Sequence, residues 1–500
     1  MEKRKEGFSR ATKTKLNIVT SFVYQVVAAV ISLVLPRIIL NEYGSEANGL
    51  MQAITQFLSY TLLLEFGVGG LIRASFYKPL AENNAEAVSD IFNNTKSYFG
   101  KISAVYAVFT LFLAVGSKLF IKTEFDFLYV GAMVVILALN TYFSYYFALP
   151  HRLLVSADQK VYILQSAQIV TNILNFIVCV ITIRLGFGLH VVKFVSMIAF
   201  LLTPIVLRLH VAKNYSISKT VFDKNRKIPR KSDGMVHHTA YFIHRSTDVV
   251  ILSFVWGVKT ASVYTVYNAV IIIVEQLLNS LSTSMAAAIG NMLARDEREE
   301  LNKSFNKYEF CNTFMAVMAS TVMAVLIIPF VRVYTKGVTD INYIQPFFAY
   351  LMVAAGLMYC IRMPYNTVIT SAGHYRETRV EAIVEVCINM GISLLLVKPL
   401  GLSGVAIGTL CAMTYRTIYM VWYLSKNILH RPVMKFVKSF GVNAAAGIIL
   451  VCLSERFLTI EAESILSLVP YGIGVSVVVF GALAIVNIIT NYDLIKKIRR

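Results

Sequence analysis

The chain has 500 residues, of which 57% are hydrophobic and 15% charged, with a formal net charge of +19 and a mean hydropathy of +0.64. An ordinary globular chain carries about 25% charged residues, so this composition excludes a soluble enzyme and predicts an all-α, polytopic membrane protein. Apolar runs able to cross ~30 Å of hydrocarbon at ~1.5 Å per residue recur from end to end and leave no stretch for a separate soluble domain.

The N-terminus is basic and then apolar without a small-residue cleavage site, which predicts a retained first span rather than a signal peptide. Spans are predicted at 16–40, 48–72, 102–121, 127–150, 161–183, 190–210, 236–256, 261–292, 308–331, 343–370, 379–398, 403–425, 438–453 and 465–489. The run lengths and the absence of sustained alternation exclude a closed barrel. Between the sixth and seventh spans lies a strongly basic connector, 211–235, holding Lys213, Lys219, Lys224, Arg226, Lys227, Arg230 and Lys231. With the N-terminus inside, the inner segments hold 33 of the 47 Lys and Arg residues and the outer segments 8. Cytoplasmic loops carry that bias, so both termini and the connector are predicted to face the cytoplasm. The charge is thereby explained by orientation and by attraction to anionic lipid, with no nucleic-acid partner.

The six cysteines, Cys179, Cys311, Cys360, Cys387, Cys411 and Cys452, stand singly in apolar segments. That spacing gives neither a disulfide framework nor a metal-type pair, and predicts packing residues.

Charges inside the spans are concentrated. Arg37, Glu65, Arg245, Asp248, Glu275, Arg362, Glu381, Glu385 and Arg416 fall on spans one, two, seven, eight, ten, eleven and twelve, where a bare charge is expensive and usually functional. A cationic first helix and an acidic second helix in each half (Arg37 with Glu65, Arg245 with Glu275) suggest an internal repeat. Arg37, Arg245, Arg362 and Arg416 would make a cationic site suited to a phosphorylated cargo, because the guanidinium stays charged and grips phosphate oxygens with two parallel bonds. Arg245 lies nine residues past Val236, so at ~1.5 Å per residue it is roughly 13 Å deep. Glu65, Asp248 and Glu275 are candidates to balance that charge or to bind H⁺ or Na⁺ as a coupling ion. The structural alternative is that arginines and carboxylates only hold helices together; Arg245 and Asp248, three residues apart on one helical face, are the expected pair. Glu381 and Glu385, one turn apart near the inner face, are equally consistent with solvated residues.

His237, His238 and His244 have no acidic or Cys partner at metal-ligand spacing and read as interfacial. Pro36, Pro204, Pro329 and Pro364 lie in or near spans and can bend them; Pro36 and Pro364 stand beside Arg37 and near Arg362. Tyr24, Tyr264, Tyr267 and Trp256 are candidates for stacking on sugar rings or for ordinary interfacial anchoring.

The run Leu35-Pro36-Arg37, then Tyr43-Gly44, Gly49-Leu50 and Glu65-Phe66-Gly67-Val68-Gly69, resembles the N-terminal signature of bacterial polysaccharide-repeat-unit flippases of the multidrug/oligosaccharidyl-lipid/polysaccharide exporter superfamily. Asp248 through Tyr264 is similar to that family's seventh and eighth helices, and Asn389 through Gly408, with Pro399-Leu400-Gly401-Leu402-Ser403-Gly404-Val405-Ala406, to its eleventh-to-twelfth junction. The resemblance implies two six-helix lobes around a central cavity, 1–210 and 236–426, joined by the 211–235 connector, with two further helices and a basic tail in 427–500. It implies movement of undecaprenyl-diphosphate-linked oligosaccharide from the inner to the outer leaflet of the cell membrane by alternating access. Its partners would be the lipid-linked oligosaccharide, membrane lipids, a polysaccharide polymerase and glycosyltransferases. The lipid II flippase branch has a similar architecture, but its Arg-Asp pair early in the first helix is missing where Pro36-Arg37 is followed by Ile38. A drug or cation exporter of the same superfamily would be expected to show an acidic, apolar pocket. A membrane glycosyltransferase, polymerase or ligase would need a large outer loop, whereas Asn41–Ala47 and Ser454–Ser464 are short. No Gly-rich loop followed by Lys-Ser/Thr occurs, so ATP is not the expected energy source.

Overall fold

The computed structural model describes residues 10–64, 68–218 and 232–490, and every regular element among them is helical. The helices are α1 (Arg10–Ser59), α2 (Val68–Ala81), α3 (Ala85–Phe120), α4 (Phe127–Phe143), α5 (Leu149–Ala157), α6 (Val161–Arg184), α7 (Leu189–Phe200), α8 (Leu202–Asn214), α9 (Ser232–Val255), α10 (Val258–Ala294), α11 (Arg298–Tyr334), α12 (Pro346–Ser371), α13 (Arg379–Leu400), α14 (Leu402–Asn427), α15 (Met434–Phe457) and α16 (Ile465–Thr490). A 3₁₀ turn follows α1 at Tyr60–Leu64, and a π turn joins α4 to α5 at Ser144–Ala148. The predicted spans fall on these helices and the turns that join them, except that residues 65–67 of the second span, 48–72, lie outside the described residues. The first and second share α1, which breaks at Gly44 (φ 79°), a left-handed conformation that glycine enters without steric penalty. The break is there and not at Pro36. Eleven described helical segments are long and apolar enough to cross a membrane; α9 and α14 fall short of that hydropathy, and both carry buried charge.

The described residues divide into two compact units, one running to Thr239 and including Gly257–Lys259, the other comprising Ala240–Trp256 and the chain from Thr260 onward. In the first unit, Phe76, Phe99, Tyr106, Met133, Leu154 and Leu207 belong to one buried core, while Phe22, Val108, Leu111, Val115 and Leu119 are exposed. An apolar outer surface of this kind suits lipid. Lipid tails are as apolar as leucine, so helices there associate through close packing and polar contacts rather than by the hydrophobic effect. Gln165 of α6 accordingly bonds Ser21 and Thr20 of α1 at 2.6 and 2.8 Å, and Thr171 meets Thr203 at 2.8 Å. The π turn precedes Pro150, whose ring would clash with the carbonyl four residues back in an unbroken α-helix; the nearby Phe147 carbonyl is bonded by the His151 ring at 2.7 Å. The Gly257–Lys259 turn belongs to this unit because Val258 donates its N–H to Lys122 O at 3.2 Å and Lys259 pairs with Glu124 at 2.9 Å. A Cβ at Gly49 would lie 1.7 Å from Val258 O.

In the second unit the sharpest helix contact is the α13–α14 hairpin. A Cβ on Gly404 would lie 2.2 Å from Leu396 O, and one on Gly408 would lie 2.3 Å from Ser393 Oγ and 2.9 Å from Asn389 O. Gly404 and Gly408 thus form a small-xxx-small stripe that lets the two backbones meet. Helices α15 and α16 are joined by an amide pair, Asn487 donating to Asn443 Oδ1 at 2.7 Å. Gly447 of α15 sits against Thr321 of α11.

Candidate functional site

Buried charges of the second unit converge from α9, α10, α12, α13 and α14. Arg245 forms an ion pair with Glu275 of α10 at 2.6 Å, and its guanidinium lies 5.8 and 5.7 Å from the ring centres of Tyr241 and Tyr359. The expected Arg245–Asp248 pair is not the one formed. Asp248 instead accepts hydroxyl hydrogen bonds from Tyr264 and Thr409, each at 2.8 Å, because helix packing brings α10 and α14 closer to its carboxylate than its own helix brings Arg245.

Arg362 and Arg416 both turn to Glu385 of α13, at 2.5 and 3.7 Å. Arg416 also donates to the Thr378 carbonyl at 3.1 Å, and Arg362 lies 4.9 Å from the Tyr359 ring centre. Glu385 is therefore buried and shared between two arginines, not solvated. Glu381, one turn earlier, is half-buried and accepts from the Tyr415 hydroxyl. Three guanidinium groups thus pair with two carboxylates, Glu275 and Glu385, while the third, Asp248, is held by hydroxyls. Arg245 is the most accessible of the three, with 25% of its side chain exposed against 8% for Arg362 and 2% for Arg416.

Beside this network is a cavity of about 30 Å³ bordered by His244, Asp248, Tyr264, Asn268, Glu275 and Thr409, room for about one water-sized species. Asp248 Oδ1 and Asn389 Oδ1 are buried without a hydrogen-bond partner, and Asn389 donates its amide to Thr409 Oγ1 at 3.0 Å. A carboxylate, an amide carbonyl and hydroxyl oxygens are hard donors of the kind that hold H⁺ or Na⁺. No group of three or more His, Cys, Asp or Glu suited to a metal ion occurs among the described residues.

His244 departs from its interfacial expectation. It is buried within this network, and neither ring nitrogen has a hydrogen-bond partner; His237 is half-buried and His238 exposed. Tyr264 and Tyr267 are not open stacking platforms either. Tyr264 is committed to Asp248, while Tyr267 donates to Tyr343 O at 2.7 Å and accepts from the Gln345 N–H at 3.0 Å. Trp256 is exposed but ties its indole N–H to Val397 O at 2.7 Å.

Arg37 lies in the first unit, half-buried on the first leg of α1. Glu65 falls outside the described residues. One buried pair was missed by sequence reasoning: Arg431, in the loop after α14, bonds Glu309 of α11 at 2.6 Å and Asn306 at 2.9 Å, and Tyr365 donates to the same carboxylate. Burial works against the Arg431 charge, but Glu309 outweighs it and holds its pKa above the ordinary arginine value. The available signal was Glu309 itself, an acidic residue at the edge of an otherwise charge-free span.

No family model matches the sequence, and no curated protein matches it. Among solved structures the fold is shared with polytopic membrane transporters and flippases. The lipid II flippase MurJ in an inward closed conformation superposes with a TM-score of 0.71 at 14% identity, covering 96% of this chain and 99% of its own. An inward-facing multidrug resistance MATE family transporter of the MOP superfamily gives 0.63 at 11% identity over 87% of this chain and 96% of its own. The eukaryotic MATE transporter AtDTX14 gives 0.55 at 12% identity over 87% and 99%. Identities this low establish the fold and not the cargo.

Proposed function

We propose that the protein is a flippase that carries undecaprenyl-diphosphate-linked oligosaccharide repeat units from the cytoplasmic to the outer leaflet of the cell membrane by alternating access, with both termini in the cytoplasm. The observation that carries this reading is the buried arginine–carboxylate network, in a fold shared over nearly the whole chain with the lipid II flippase MurJ. Arg245 is the network's most accessible guanidinium and the one best placed to exchange Glu275 for a cargo phosphate. Arg37, Arg362 and Arg416 remain further cargo-site candidates, the last two through the charge that they share with Glu385. Asp248, with Thr409, Tyr264 and Asn389, supplies the site for a coupling H⁺ or Na⁺, and binding there would change the charge balance that Arg245 and Glu275 experience.

Reconstituted vesicles loaded with lipid-linked oligosaccharide provide the test. Arg245→Lys retains the charge and loses the bidentate fork, so flipping should fall roughly ten-fold at an unchanged protein level. The paired swap Arg245→Glu/Glu275→Arg should recover the fold but not the flipping. Full activity in Arg245→Lys would remove Arg245 from the cargo site. Lipid II and cationic drugs are the alternative cargoes within this fold, so the same vesicles are assayed with lipid II and with a cationic dye. Movement of either one, with none of the oligosaccharide lipid, would replace this reading.

A further inference from the structure

The first unit contains a cleft whose chemistry differs from that of the second-unit network. Two adjoining cavities of about 390 and 350 Å³ share Tyr24, Leu149, Arg152, Leu164 and Gln168 on their walls. Together they run from α2 past α1, α5 and α6 to α4 and α8. Their size falls within the ~300–1,000 Å³ of small-molecule sites. At one end the lining includes Arg73 and Arg152; beyond Arg152 it mixes Asn140, Ser144, Asn172 and Thr203 with apolar residues such as Phe143, Phe200 and Leu207.

The electrostatic contrast within the molecule is sharp. Arg245, Arg362, Arg416 and Arg431 each face a glutamate. Among the described residues no carboxylate lines either cavity of the first-unit cleft, and Arg73 and Arg152, both exposed, make no ion pair with a described residue. Two guanidiniums that line one cavity, with no carboxylate beside them among its described residues, attract an anion, and their fork geometry matches phosphate oxygens. Charges serving only as an orientation signal need lie near a helix end; nothing in that role requires them to line a cavity backed by amides and hydroxyls. The π turn contributes Ser144 and Tyr145 to the wall, and such turns recur at functional sites.

We propose that this cleft is a subsite for a phosphorylated, sugar-bearing headgroup. Arg73 and Arg152 hold its phosphate or diphosphate, and the pocket from Tyr24 to Asn172 holds the first sugar. The assignment rests on the flippase reading for the identity of the headgroup. A free diphosphate shares the same anionic chemistry, so the test separates the two.

Purified protein in detergent is titrated calorimetrically with inorganic pyrophosphate and with farnesyl diphosphate bearing one N-acetylglucosamine, with melting temperature as the control for folding. Arg73→Gln/Arg152→Gln should weaken both probes by roughly ten-fold or more. Gln168→Ala/Asn172→Ala should weaken only the sugar-bearing probe. Should the Gln variant fail to insert, Arg73→Lys/Arg152→Lys keeps the charge and is expected to lose at least about three-fold through the missing fork. Wild-type affinity in the arginine variants, or no binding by the wild type, overturns the subsite. Equal affinity for both probes with no effect of Gln168→Ala/Asn172→Ala marks a free-anion site and overturns the headgroup assignment. Flipping by wild type with unaltered binding in the arginine variants sinks the subsite alone; no flipping of any oligosaccharide lipid, with the binding losses intact, sinks the flippase reading instead.

Discussion

Replacing Glu385 by Gln removes one negative charge from between two buried guanidiniums while keeping side-chain size and an acceptor oxygen. The Glu385 side chain is 6% exposed and lies 2.5 Å from Arg362 and 3.7 Å from Arg416. At an effective dielectric constant of ~20, two unit charges 4 Å apart interact by about 4 kcal/mol, and removing one partner of a buried pair costs about 3–5 kcal/mol through the charge left behind. Two stranded cations place the expected loss at the upper end. At ~2–4 °C per kcal/mol for a unit of this size, the melting temperature should fall by roughly 10–20 °C. Fluorescence-detected size-exclusion chromatography after graded heating reads this directly. Glu381→Gln is the internal comparison, since that carboxylate is half-buried with the Tyr415 hydroxyl as its partner, and it should shift the midpoint by no more than a few degrees. Adding Arg362→Gln to Glu385→Gln should recover part of the loss, a coupling that a double-mutant cycle measures. A Glu385→Gln midpoint within about 2 °C of wild type would refute the shared-carboxylate account.

Gly408→Ala places a Cβ 2.9 Å from backbone atoms of Asn389 and Ser393, so overpacking should destabilise the second unit by about 1–3 kcal/mol, measured by the same heating assay; Gly441→Ala, which meets nothing within 4 Å, should be neutral. Asp248→Asn should abolish any stabilisation by Na⁺: at a hundred-fold excess over Kd the wild type gains ~2.7 kcal/mol, and a wild-type melting temperature indifferent to Na⁺, K⁺ and pH would dismiss the coupling site. For topology, Ser218→Cys and Ser464→Cys in a cysteine-free background should react with an impermeant maleimide from opposite sides of the membrane, and labelling of both from outside would overthrow the fourteen-span arrangement.

The spans were legible because the length of an apolar run reports on the membrane directly: 236–256 became Ser232–Val255, and 465–489 became Ile465–Thr490. The Pro399–Gly408 stretch was recognisable as a pattern, but its physical content, a backbone approach that a Cβ at Gly404 or Gly408 would block, depends on how closely α13 packs on α14. Ionic partners were less legible. A rule built on one helix points from Arg245 to Asp248, whereas the observed partner, Glu275, is thirty positions away and is chosen by how α9 packs on α10. Glu385, which its position near a span end left open between a buried charge and a solvated one, is the carboxylate that two arginines share, for the same reason. The Arg73–Arg152 cleft carried no signal, since both residues read as ordinary inner-loop positives until their helices were brought together.

The π turn at Ser144–Ala148 also sets the angular phase between α4 and α5, which share one crossing. One residue is worth about 100° of helical rotation, so deleting a single residue there would tighten the turn and swing α5 as a block. Leu154 and Val155 would leave the core and Arg152 would leave the cleft, with no side chain changed. At this position, chain length by itself is a determinant of what the cleft presents.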